Sequence, residues 1–102
     1  MKIEWEKGLK QQPRLILEEA GYHAFVDPNT DKLSFVMRLD QGFYPRYHLY
    51  VVEKPNALIL DLHIDQKKAS YEGQTAHSGE YDGPLVEEEV ARLQRWLVYY
   101  SG

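Results

Sequence analysis

The sequence predicts an α+β domain: a four-stranded antiparallel meander with an N-terminal and a C-terminal helix packed on one face, in the order αββββα. Two observations carry that expectation. Four consecutive segments between residues 22 and 65 alternate apolar and polar side chains, the mark of half-buried strands. A last segment, from Pro84, spaces its apolar residues by three and four, the mark of an amphipathic helix.

The first dozen residues read two ways. Ile3 and Trp5 alternate with Glu4 and Glu6, which suits either a short strand or a frayed helix. Pro13 suits the first turn of a helix, where its missing N–H costs nothing. Gly21 suits the left-handed position just past a helix end. A helix over 13–20 follows, with a strand as the rival reading because LIL is equally apolar.

The strands are expected at 22–27 (YHAFVD), 33–39 (LSFVMRL), 45–53 (PRYHLYVVE) and 57–65 (ALILDLHID). Their connectors are short and rich in turn formers. Short links between sequential strands imply antiparallel pairing, since parallel pairing needs a long crossover. Closing the last hairpin across EKPN pairs Val52 with Ala57, Leu49 with Leu60, His48 with Asp61 and Arg46 with His63. One face then carries Tyr47, Leu49, Val51, Leu58, Leu60 and Leu62. The other carries Arg46, His48, Tyr50, Val52, Ile59, Asp61 and His63. A one-residue slip would bury arginine and histidine, so the pattern itself defends this register. In the first hairpin Tyr22, Ala24, Val26, Leu33, Phe35 and Met37 share a face. His23, Phe25, Ser34, Val36 and Arg38 share the other.

From Pro84 onward Val86, Val90, Leu93, Leu97 and Tyr100 form one apolar stripe, widened by Leu85 and Trp96. Asp82 is placed to cap this helix. Glu87, Glu88 and Glu89 lie in its first turn, where the helix dipole favours anions. Glu88 and Arg92 form an i,i+4 pair in the favourable order. The stripe needs an apolar partner and the apolar sheet face needs a cover, so both helices belong on that face.

The totals fit one ordinary globular domain over 1–102. The chain has 102 residues, 43% of them hydrophobic and 27% charged. It has no cysteine, which excludes a disulfide framework and thiolate metal sites and fits a cytoplasmic protein. The start, MKIEWEKGLKQQP, lacks the apolar core of a signal peptide. No apolar run approaches the ~20 residues that span a bilayer. The net charge of −4 argues against nucleic acid, whose phosphates demand lysine and arginine.

Chemistry is expected on the sheet face that the helices leave open. Parity puts His23, His48 and His63 there, with Asp61, Asp65, Arg38 and Arg46. The run from Gln66 to Gly83 leaves the same strand and lacks periodicity. Loops beyond ~12–15 residues in a compact domain are usually functional or disordered. This one carries His77 between Tyr71 and Tyr81, and folded over the open face it brings His77 toward His63 and His48.

Three readings compete for the cluster. One is a solvated polar face with cross-strand pairs, His48 to Asp61 and Arg46 near His63. Another is a pocket for a small anionic molecule or peptide carboxylate, built on Arg38, Arg46 and the histidines, because the guanidinium fork matches such oxygens. A third is a divalent metal site drawn from His48, His63, Asp65 or Asp61, and His77. Phe25, Val36, Tyr50, Val52 and Ile59 add an apolar patch suited to a protein partner or a homodimer. No phosphate-cradling glycine motif, HExxH pair or nucleophile elbow is present, so the sequence points to no particular cofactor. The leading expectation is a small soluble binding or interaction module that uses the open face and the 66–83 loop. A metal-dependent or histidine-based hydrolase at the same place is the alternative.

Overall fold

The computed structural model describes residues 1–28, 30–66, 79–80 and 83–102. The elements are β1 (Lys2–Trp5), α1 (Pro13–Glu19), β2 (His23–Val26), β3 (Leu33–Arg38), β4 (Arg46–Lys54), β5 (Ala57–Asp65), β6 (Gly79–Glu80) and α2 (Pro84–Ser101). This is the expected α+β class. The four expected strands form the meander β2 to β5. The chain order and strand count differ from the four-stranded αββββα expectation, because one strand precedes the first helix and a two-residue strand precedes the second.

That strand settles the ambiguous N-terminus. β1 pairs antiparallel with β5, Ile3 opposite Leu60 and Trp5 opposite Leu58, so the sheet path is β1-β5-β4-β3-β2. Strand pairing is favoured because it buries Ile3 in the core while Glu4 stays exposed. The two-residue β6 joins β5 further along, through Ile64 and Asp65.

The register of the β4–β5 hairpin corrects the expected one. Lys54 pairs with Ala57 across a tight turn at Pro55 and Asn56, so Leu49 faces Leu62, His48 faces His63, and Arg46 faces Asp65. The shift is two residues. It preserves the face of every side chain and changes every partner. It also brings opposite charges face to face at Arg46 and Asp65, a favourable cross-strand pair.

Both helices pack on one face, as expected. Leu49, Leu58, Leu60, Leu62 and Ile64 of the sheet share a buried cluster with Leu17 and Ala20 at α1 and with Val86, Leu93 and Leu97 of α2. Leu85, expected to widen the stripe, is exposed. Gly21 ends α1 with φ +110°, and a Cβ there would meet Met37 Sδ at 2.9 Å, so conformation and space both call for glycine.

The start of α2 also differs from expectation. Gly83 occupies the N-cap position with φ 106° and no side-chain cap hydrogen bond, and its carbonyl accepts from the Glu87 N–H at 2.9 Å. Asp82 lies outside the described residues. Of the three glutamates expected in the first turn only Glu87 lies there, and Glu89, rather than Glu88, is the partner of Arg92. Glu89 is buried and binds Arg92 through both carboxylate oxygens, at 2.7 and 2.8 Å. It also accepts from the Tyr22 hydroxyl at 2.6 Å. Arg92 donates a further bond to the Ala20 carbonyl at 2.9 Å, satisfying an orphan group at the end of α1. Burial first, then the Glu89 charge and hydrogen bond, push the Tyr22 hydroxyl far up from its usual pKa.

Candidate functional site

On the face opposite the helices, three of the expected site residues, Arg46, His48 and His63, converge on the carboxylate of a fourth, Asp65. Asp65 ends β5, two residues beyond His63 and directly across from Arg46. Strand alternation turns Asp65, His63, His48 and Arg46 to the same side. His48 Nδ1 lies 2.9 Å from Asp65 Oδ2, and Arg46 Nε donates to the same oxygen at 3.1 Å. His63 Nε2 lies 2.8 Å from Asp65 Oδ1.

Burial alone would raise the pKa of Asp65. The hydrogen bonds from His48 and His63, the His48 charge and the Arg46 hydrogen bond outweigh it and hold the carboxyl well below the usual range. Asp65 is therefore an anion, and its neighbours are donors or potential cations.

The reading of a solvated polar face does not hold. His48 is 5% exposed and His63 8%, although no helix among the described residues covers them. Aromatic rings pack against them. The His48 ring lies 4.7 Å from the Tyr50 ring and 4.9 Å from that of His63, and Phe25 meets it edge-on. The Arg46 guanidinium rests against two further faces, Phe25 at 4.9 Å and Tyr44 at 4.8 Å. Cation–π attraction holds the guanidinium plane in place without using its N–H donors.

Ser34 was absent from the expected site and belongs to it. It is completely buried on β3, and His48 Nε2 approaches its Oγ at 2.8 Å. Its hydroxyl donates to the Phe25 carbonyl at 3.1 Å. The usable signal is its parity with Phe25 and Arg38 inside an otherwise apolar strand.

The other expected residues stand apart. Arg38 faces Arg46 across β3 and β4, but it is exposed and lies over the Phe43 ring at 4.7 Å. Asp61 faces Tyr50 and Lys2, and its carboxylate is 3.9 Å from the N-terminal ammonium, so the expected His48–Asp61 pair does not form. His23 is exposed on β2. His77 lies outside the described residues, as does the 67–78 part of the loop expected to carry it. The apolar patch is partly realised: Val52 is exposed, while Phe25, Tyr50 and Ile59 are half-buried.

The donor atoms of His48, His63 and Asp65 all lie within 4.8 Å of one another. Two imidazole nitrogens and a carboxylate oxygen suit zinc, manganese or iron. No helix among the described residues is long and apolar enough to cross a membrane. Comparisons of the chain with protein-family models, curated proteins and solved structures give no match.

Proposed function

We propose that the protein is a small binding module whose ligand is a divalent transition-metal ion held by His48, His63 and Asp65. The single observation behind this reading is the convergence of three metal-competent donors within 4.8 Å on a rigid, directly paired part of the sheet. The surroundings support it. Metal-bound histidine usually gives its second ring nitrogen to an oriented partner, and His48 has Ser34 Oγ at 2.8 Å. Metal-bound carboxylates are usually hydrogen-bonded too, and Asp65 has Arg46 at 3.1 Å. Three protein donors leave a coordination position open, as in sites that take an exogenous ligand.

The alternative is a hydrolase, and one arrangement favours it. Ser34 Oγ, His48 and Asp65 form a hydroxyl–imidazole–carboxylate chain with links of 2.8 and 2.9 Å. It ranks second because Ser34 is fully buried and its hydroxyl already donates to Phe25. A hydrolytic role at this site falls to a metal ion with an open position.

The test is calorimetric titration of the full chain with Zn²⁺ in a non-coordinating buffer. One saturable equivalent is expected, lost in His63→Ala and Asp65→Asn and retained in His23→Ala. Zinc at a hundred times its dissociation constant stabilises the fold by about 2.7 kcal/mol, reversed by chelator. Unsaturable binding, or binding indifferent to Asp65→Asn, overturns the reading.

A further inference from the structure

We infer that the exogenous ligand completing this centre is an oxyanion, a carboxylate or a phosphate monoester, gripped by the Arg46 guanidinium. The inference rests on the metal reading above and adds the class of ligand.

Charge is the first ground. A divalent ion and the Arg46 guanidinium bring three positive charges against the single negative charge of Asp65, with the imidazoles neutral as metal ligands. Among the described residues a formal excess of two positive charges remains. It sits where His48 and His63 are buried and the Arg46 side chain is only 12% exposed. Uncompensated charge in such surroundings is costly, and an anionic ligand offsets it. The nearest other carboxylate described on this face, Asp61, lies instead beside the N-terminal ammonium at 3.9 Å. A further described cation, Arg38 across from Arg46, adds to the positive field.

Geometry is the second ground. Arg46 uses Nε on Asp65, and its terminal amino groups make no hydrogen bond among the described residues. Phe25 and Tyr44 fix the guanidinium through its faces. Its donor edge is therefore held still beside the carboxylate shared with His48. A planar fork presented this way matches the paired oxygens of a carboxylate or phosphate.

The experiment uses the full chain loaded with Co²⁺, whose visible spectrum responds to its ligands. Acetate and methyl phosphate are titrated separately. A saturable spectral change with either anion is expected, and the tighter of the two identifies the ligand source. Arg46→Lys, checked for folding by its thermal melt, keeps the charge and loses the fork. The variant is read at Co²⁺ concentrations that saturate it, so that any loss of metal affinity through the altered Asp65 contact is separated from anion affinity, which is expected to weaken about tenfold or more. Co²⁺ binding with a spectrum unmoved by both anions overturns the inference and leaves the metal reading standing. So does equal anion affinity in Arg46→Lys. No Co²⁺ binding at all overturns both.

Discussion

His48 and His63 stand directly opposite each other on β4 and β5, ring centroids 4.9 Å apart, and each turns one nitrogen onto a different oxygen of Asp65. Each ring thus has its own half of one carboxylate, and only His48 among the two also leans on Ser34. Ser34→Ala removes the bond that sets the His48 ring and leaves a buried ring nitrogen without its partner. We expect a loss of about 1–3 kcal/mol in stability. We also expect metal affinity to fall about tenfold to a hundredfold, the usual effect of removing an outer partner of a ligand. Calorimetry with Zn²⁺ and urea unfolding read the two effects separately. Unchanged zinc affinity would show that Ser34 does not orient the ligand.

Asp65 predicts an acid dependence. Its carboxyl titrates below its unfolded value of about 3.9. A lowered folded pKa means the stabilisation is fully present above the unfolded value and is lost as pH falls toward the folded one. Asp65→Asn should therefore cost about 3 kcal/mol at pH 7, where a mostly buried charge network loses its anion. The gap between the two proteins should shrink on going from about pH 5 to pH 3. Urea midpoints at both pH values test this, and a gap independent of pH refutes it.

The parts of this fold that were legible in the sequence are those fixed by parity. Leu49, Leu60 and Leu62 had to share a face because their neighbours Arg46, His48 and His63 could not join them. The partner of each was not legible, since pairing Leu49 with Leu60 or with Leu62 leaves the same faces. The Pro55–Asn56 turn decides between them. This matters for the site. In the expected register Arg46 faced His63, and the central role of Asp65 was hidden. Parity also grouped Arg38 and Asp61 with the cluster, though their contacts lie with Phe43 and the N-terminus. Glu89 was missed for a different reason. In a run of three glutamates the helix dipole explains all of them equally, and only the fold brings Tyr22 and Arg92 to one of them.

The sidedness itself predicts a contrast. Leu60 is 1% exposed and Leu85 is 46% exposed. Leu60→Ala should cost about 2–5 kcal/mol, the usual range for a buried leucine that leaves a cavity. Leu85→Ala should stay within about 0.5 kcal/mol, as surface changes do. Chemical denaturation of both variants checks this. Equal costs would place Leu85 in the core and contradict the packing of α2.

The Tyr22–Glu89 bond links β2's approach to the middle of α2, and its pH behaviour is opposite to that of Asp65. The hydroxyl donates to a buried carboxylate, so the neutral phenol is the stabilised form and its pKa in the fold is raised. A raised folded pKa gives stability that is fully present below the unfolded value of about 10 and is lost as pH rises toward the folded value. Tyr22→Phe keeps the ring and deletes the donor. It should cost about 1.5–3 kcal/mol at pH 7, the range for a hydrogen bond to a charged group. It should also remove this tyrosine's share of the alkaline loss, so the gap to the parent protein should narrow between about pH 9 and pH 11. The other tyrosines are present in both proteins, and the difference isolates Tyr22. Urea unfolding across that range is the measurement. Parallel stability curves for the two proteins would mean that Tyr22 ionises in the folded state as easily as in the unfolded one, and that Glu89 does not hold its proton in place.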